Sequence, residues 1–249
     1  MGTERHKNKL GSDGSRPSPR DIPAYTISEA ARYLQIPRRT VQNWLYGNWY
    51  PTQKGKQKAR ALVEIAAPDE HLLSFVNMIE LHVLDAIRHG HGIDMRHVRK
   101  ALDYLQHELK VNRPLVDEQM ETNGKRLFVR HLDQLIDAAS WGQVSMADLL
   151  GIRLARIERD PKGIAIKLYP FTRKKPDQLD VAQREPRAIA IDPAIAFGRP
   201  VIAGSRIPTV EVAERYKAGD SIEQLVTEYG RPHADIEEAI RCELRLDAA

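Results

Sequence analysis

The stretch YTISEAARYLQIPRRTVQNWL, residues 25–45, constrains the fold more than any other part of the chain. Thr26 followed three residues later by Glu29 has the spacing of a capping box, in which side chain and backbone satisfy each other at a helix start. Ile27, Ala30, Ala31 and Leu34 then recur at i, i+3, i+4 and i+7, which puts them on one face of a short helix. Gln35 and Ile36 make a tight turn, because Pro37 has a pre-set φ and no amide hydrogen and so opens a second helix. Val41, Trp44 and Leu45 share one side of that helix and are expected to pack on the first. Two short helices so joined form a helix-turn-helix.

The opposite side of the second helix carries Arg39, Gln42, Asn43 and Tyr46, with Arg38 beside them in the first turn. Each has a hydrogen-bonding group. Arg can fork to guanine and Asn or Gln can pair with adenine, and the second helix of such a unit presents this face to the DNA major groove. After Gly47, the stretch NWYPTQKGKQKARALVEIA has a Lys-rich turn followed by a strand-like ALVEIA. This reads as a wing, with Lys54, Lys56, Lys58 and Arg60 placed to neutralise phosphates without reading sequence. The competing reading is a two-helix packing unit whose arginines are ordinary solvated surface.

The same run resembles the winged helix of the MerR family, in its capped first helix, its "EAA..L" pattern and a recognition helix ending near a Trp. The resemblance covers about residues 25–66. Phage excisionases and many small DNA-binding modules share the motif, so it implies DNA binding and little else.

In residues 67–172, Pro68 and Asp69 are expected to start a long helix with Leu72, Phe75, Val76, Ile79, Val83, Ala86 and Ile87 as its apolar stripe, ended by RHGHGID. Asp94 then caps a helix with Met95, Val98, Leu102, Leu105 and Leu109 inward. In MerR regulators a long helix after the wing pairs two subunits. Here it is too short for a long two-stranded coil, and a compact helical region that also forms a homodimer contact is expected. Asn123 and Gly124 precede a strand-like RLFVRH, and RIERDPKGIAIKLY reads as a hairpin turning at DPKG. His89, His91 and His97 sit around a glycine-bearing loop with no Cys or acid-rich spacing, which gives no metal site.

The charged, apolar-poor residues 173–187 read as a linker. Beyond it, AIAID and GRPVIAGSRIPT suggest two short strands. Thr209 is expected to cap a helix, Asp220 with Glu223 to box the next, and Ile236, Ala239, Ile240 and Leu244 to face inward on the last. The overall expectation is a mainly α fold of α+β type. A disordered tail at 1–22 precedes a winged helix-turn-helix at 23–66, a helical middle region with a β-hairpin at 67–172, the linker, and a short β-hairpin plus three helices at 188–249.

The block IDPAIAFGRPVIAGSRIPTVEVAERYKAGDSIEQLVTEYG closely resembles a small bacterial antitoxin domain, long known only as a domain of unknown function. The likeness lies in the "I-D-P" turn, the "G-x-P-V-I-x-G-[TS]-R-I-P" segment and the "A-G-x-S-x-E" helix start. Ser205 stands where that family usually has Thr and keeps the hydroxyl. Together with the N-terminal winged helix, the arrangement is similar to the longer VapB-type antitoxins. That resemblance implies a PIN-like ribonuclease toxin as partner and repression of the shared operon through operator DNA.

From the residues alone, Arg199 and Arg206 are displayed on a frame stiffened by Pro200 and Pro208, and either could fork to a toxin carboxylate. A local structural role for Arg206, bonding carbonyls or an acid of its own domain, stays open. So does a ligand-responsive MerR-type regulator without a toxin.

Enzyme readings find little support. G-x-S-x-G, P-loop and H-E-x-x-H patterns are missing, and Asp192, Glu211 and Glu214 have no metal-ligand spacing. No cofactor is expected. The single cysteine, Cys242, excludes an internal disulfide, and neither a charged start MGTERHKNKL nor any long apolar run suggests a signal or membrane segment. A cytoplasmic protein is expected. Net charge is only +4, but basic residues gather in the first sixty positions and acids in the last forty, as suits two ends with different partners.

Overall fold

A computed structural model describes residues 18–52, 55–91, 94–121, 123–135, 146–173 and 183–244. The chain opens with β1 (Tyr25–Thr26), α1 (Ile27–Leu34) and α2 (Arg38–Tyr46), followed by a hairpin of β2 (Trp49–Thr52) and β3 (Gly55–Lys58). β4 (Leu72–Leu73) then pairs antiparallel with β1, Tyr25 opposite Leu73. The middle holds α3 (Phe75–His91), α4 (Met95–Leu109), α5 (Asn123–Leu135), α6 (Met146–Leu154) and a hairpin of β5 (Ile157–Arg159) and β6 (Ala165–Leu168). The last part has β7 (Ile189–Ala190) antiparallel to β8 (Val201–Ile202), then α7 (Thr209–Lys217), α8 (Ile222–Tyr229) and α9 (His233–Leu244).

The capping box forms as the sequence suggests: Thr26 N donates to Glu29 Oε2 at 2.8 Å and Glu29 N to Thr26 Oγ1 at 3.1 Å. Several other expectations need correction. The long helix starts at Phe75 rather than Pro68, because Ser74 and Asn77 cap it: Asn77 N donates to Ser74 Oγ at 3.3 Å, and Asn77 Oδ1 accepts from Ser74 N at 3.1 Å. Leu72, expected in the helix stripe, belongs to β4. RLFVRH is helical, within α5, a helix that buries Phe128 and Leu132 at i, i+4. Ser221 and Gln224, not Asp220 and Glu223, make the box of α8. Thr209 does not cap α7. It is the first helical residue, and its buried hydroxyl reaches Glu243 Oε1 at 2.5 Å.

One core joins the helix-turn-helix to the middle region, running from Tyr25 to Leu168 and taking in Ile191, and a second lies among β7, β8, α7, α8 and α9. At the centre of the first, every residue of α3 from 75 to 87 is buried, including Asn77, Glu80, His82 and Asp85. The expected single stripe is therefore a whole surface, and over that length α3 offers no free face to a second subunit. Asn77, Glu80 and His82 find hydrogen-bond partners inside, and Asp85 Oδ2 stands 3.3 Å from Arg153 Nη2 as an ion pair. Asn77 Nδ2 donates to Glu64 O at 2.7 Å and Glu80 Oε2 at 3.0 Å, and His82 Nε2 lies 3.1 Å from Arg153 O.

The two cores are tied together. Leu168 and Ile191 exchange backbone hydrogen bonds at 2.9 and 2.8 Å, and Ile191 is buried in the first core. Most of the expected linker lies outside the described residues, but its ends are anchored. Glu185 Oε1 accepts from Thr172 N at 3.0 Å and Arg173 N at 2.7 Å. Glu238 of α9, 2% exposed, accepts from Thr172 Oγ1, from Arg173 Nη2 at 2.7 Å and from Arg241 Nη1 at 2.6 Å.

Candidate nucleic-acid interface

The turn between α1 and α2 is fixed by backbone and tertiary bonds. Gln35 adopts a left-handed conformation, φ 54°, with Ile36 N donating to Ala31 O at 2.9 Å, and its side chain donates to Phe171 O at 2.7 Å. Behind α2, Val41, Trp44 and Leu45 are buried, the Trp44 carbonyl accepts from Leu62 N at 2.7 Å, and Arg88 of α3 donates to Thr40 Oγ1. α2 is therefore held in place from its inner side, which leaves its outer side free to present side chains.

Its outer side is as the helical period implies. Arg38 and Arg39 are exposed in the first turn and make no ion pair or side-chain hydrogen bond with another described residue. Gln42 and Asn43 are half-buried beside them. Tyr46 stands apart: its hydroxyl lies 2.7 Å from His71 Nδ1, so part of its bonding capacity is used inside the domain.

The wing is a true hairpin, but its strands are not the expected ones. β3, which carries the Lys-rich segment, pairs with β2, so that Trp49 faces Lys58, Tyr50 faces Gln57 and Pro51 faces Lys56. ALVEIA is not a strand. Val63 and Ile65 turn inward there, and the Leu62 and Val63 amides close on α2. Gly47 makes the sharp exit from α2 possible. Its φ is +72°, and a Cβ there would stand 1.8 Å from Ala59 O. Lys56 and Lys58 are exposed, while Lys54 lies outside the described residues. Arg60, also exposed, pairs with Asp103 of α4, and its carbonyl accepts from Arg99 Nη2 at 2.6 Å. Its charge is thus partly compensated, unlike that of the two lysines.

Sequence reasoning missed Trp49. It is 64% exposed and shares a face of the hairpin with Lys58. The signal was available in Gly47, which ends the helical period and so removes any reason to count Trp49 with Trp44 as core.

At the other end of the chain, Arg199 and Arg206 are exposed and have no ion pair or side-chain hydrogen bond with another described residue. The local bracing considered for Arg206 is done by Arg231, whose Nη2 donates to Ala203 O and Asp235 Oδ2, each at 2.9 Å. Arg206 lines a shallow cavity of about 260 Å³ with Lys167, Asp192, Ile195, Gly204 and Ser205. Among the described residues no three His, Cys, Asp or Glu side chains are grouped to hold an ion, and no helix is long and apolar enough to cross a membrane. The side chains of His89 and His91 lie outside the described set.

Comparison with known proteins finds a different family model matching each of these two ends. Residues 23–102 match the family described as "Putative DNA-binding HTH domain", and residues 189–241 match "Protein of unknown function (DUF433)". The first match extends well past the wing, in keeping with the core that α3 and α4 share with the helix-turn-helix. The chain is similar to the "Putative antitoxin VapB45" of Mycobacterium tuberculosis (strain ATCC 25618 / H37Rv), 26% identical over 223 residues that cover 84% of this chain and 89% of the relative. Its fold is similar to the crystal structure of Rv2018 from Mycobacterium tuberculosis, with a TM-score of 0.60 and 22% identity, covering 88% of this chain and 98% of that one.

Proposed function

We propose that this chain is the antitoxin of a type II toxin–antitoxin pair. In this reading it binds operator DNA as a homodimer through α2 and the wing, as in MerR-like proteins, and represses its own operon in the cytoplasm. The C-terminal domain neutralises a PIN-like ribonuclease toxin by direct contact, and the chain itself has no catalytic role. The observation that carries the reading is a presented, unpartnered basic face on α2, in a chain similar over 84% of its length to a protein named as an antitoxin. With α3 enclosed, the homodimer contact falls on some other surface.

The roles divide by chemistry. Arg38, Arg39, Gln42, Asn43 and Tyr46 read base edges, while Lys54, Lys56, Lys58 and Arg60 supply phosphate contacts. Replacing Arg39 and Asn43 by Ala is expected to weaken operator binding by about 1–3 kcal/mol for each base that is deprived of a bidentate partner, with little change on unrelated DNA. Replacing Lys56 and Lys58 by Ala is expected to weaken both DNAs alike and to flatten the salt dependence, by about 0.9 in log–log slope for each phosphate no longer neutralised. Fluorescence anisotropy across a salt series measures both, and operator preference that survives the α2 variant would remove the recognition-helix assignment.

A second reading, a ligand-responsive regulator without a toxin, draws on one observation. A cavity of about 340 Å³ lies between the end of the wing and α4, lined in part by Arg60, Glu80, Arg99, Asp103 and Arg113. Co-expression with the neighbouring open reading frame separates the two. Rescue of growth and co-purification favour the antitoxin, and no interaction favours the regulator.

A further inference from the structure

Phe197 is the most exposed large apolar side chain among the described residues, at 91%, and it sits where a bulky residue is least at ease. Ala196, Phe197 and Gly198 have φ values of 48°, 55° and 78°, three successive residues in the left-handed region. Only glycine enters that region freely, and Asn tolerates it better than an aromatic residue does. A single exposed Phe needs no explanation, but one held in an unfavourable backbone conformation does, since strain persists where surrounding structure imposes it.

That structure is identifiable. Asp192 Oδ1 accepts from Ala194 N at 2.8 Å, Gly198 N donates to Ile195 O at 2.8 Å, and Arg199 N donates to Ala196 O at 3.1 Å. From behind, Gly198 lies against Tyr25 of β1 so closely that a Cβ would stand 2.1 Å from the phenol oxygen. The turn is pinned on one side and presents Phe197 on the other. Arg199 follows two residues later, and Arg206 lines the shallow cavity to which Ile195 of the same turn contributes. Neither guanidinium has an ion pair or hydrogen bond with another described residue.

We infer that Phe197 is the anchor of the surface through which the C-terminal domain grips its protein partner, entering an apolar pocket whose rim carries carboxylates that meet Arg199 and Arg206. Aromatic residues and Arg are the side chains enriched at interface centres, and a pre-formed turn loses little freedom on binding. The unpaired positive charges of Arg199, two residues along the chain from Phe197, and of Arg206, beside Ile195 of the same turn, select an acidic partner surface over DNA or a second copy of this same basic patch. The inference rests on the proposed antitoxin reading and names the residue that the reading leaves open.

The test uses the intact chain and, as probe, the catalytically disabled protein of the neighbouring open reading frame. Phe197→Asn removes the ring but suits the left-handed backbone, so its melting temperature is expected to equal or exceed the parent's. Its affinity for the probe by calorimetry is expected to fall at least about 30-fold, while Phe197→Tyr stays near the parent. A folded Phe197→Asn variant that binds the probe at parent affinity overturns the anchor and leaves the antitoxin reading standing. Loss of self-association in sedimentation, or of operator affinity, would assign Phe197 to a second copy or to DNA and overturns it equally. If the parent chain does not bind the probe, the antitoxin reading falls and the inference with it.

Discussion

Replacing Arg156 by Met tests how firmly the C-terminal domain is fastened to the rest. Arg156 is 3% exposed, and its guanidinium donates to the carbonyls of Tyr169 at 2.6 Å, Pro170 at 3.1 Å, Glu185 at 3.1 Å and Pro186 at 2.9 Å. It also lies 4.3 Å from the ring centroid of Phe171. Two of the acceptors precede the expected linker and two lie among its last residues, so one side chain gathers its two ends. Met keeps much of the apolar volume and removes every donor. Breaking a buried charged network typically costs about 3–5 kcal/mol. Against this, burial pushes Arg156 down to about 10, so the cation is itself held at a desolvation cost that Met does not bear. The lower end, about 3 kcal/mol, is therefore expected. For a chain of this size that corresponds to a fall in melting temperature of about 6–12 °C. Arg156→Lys is expected not to rescue, because an ammonium cannot spread planar donors over four carbonyls or stack on Phe171. Differential scanning calorimetry of the intact chain measures the loss, and limited proteolysis across 173–187 should quicken in parallel. A Met variant melting within about 2 °C of the parent, with unchanged proteolysis, would refute the fastening role.

Two further outcomes follow from the interior and the wing. Burial pushes the Glu80 carboxyl up from the usual 4.5 to about 7 even with Arg113 at 3.4 Å, so between those values the folded chain holds a proton that the unfolded chain has released. The associated stability is full below the lower value and lost as pH rises through the upper one. Relative to Glu80→Gln the parent should therefore lose about 3 kcal/mol between pH 4.5 and 7. His82, held down to about 3 by burial, is common to both proteins and cancels. Urea melts of the pair at about pH 5 and about pH 8 check this, and a difference that does not vary with pH refutes it. Gly47→Ala forces both a positive φ and a clash with Ala59 O, so a loss of more than about 1 kcal/mol and weaker binding to all DNA are expected, by thermal melts and anisotropy.

The helix-turn-helix was legible because Ile27, Ala30, Ala31 and Leu34, then Val41, Trp44 and Leu45, keep one period on each side of a proline. The same clarity located the hairpin at DPKG and the strands on either side of Gly198. What misled was short windows. RLFVRH alternates well enough to pass for a strand, and only Phe128 and Leu132, seen with the rest of α5, reveal the helical spacing. ALVEIA has strand-forming residues but is used to cross the back of α2. The complete burial of α3 could not be read from its apolar stripe, because Asn77, Glu80, His82 and Asp85 look like a solvent face until their partners at Glu64 and Arg153 are known. At the interface, the basic residues were visible by charge. Phe197 was not, since exposure of an aromatic residue is decided by the fold around it, and for Trp49 the one hint was Gly47 ending the helical period of α2.

The short ladder between β1 and β4 has a bearing on how such a chain changes what it reads. Tyr25 opposite Leu73 and Thr26 opposite Leu72 bring the two ends of the segment from α1 to the wing side by side. A segment that leaves and returns at one place is a cassette, exchangeable between paralogues without rethreading the remainder of the chain. The exchange has a fixed grammar: Ala30, Leu34, Val41, Trp44 and Val63 must still match α3 and its neighbours, whereas Arg39, Gln42, Asn43 and the hairpin tip are at liberty to vary. Under the proposed function, drift in operator sequence can then proceed on the outer face of α2 while the apolar seam beneath it stays constant.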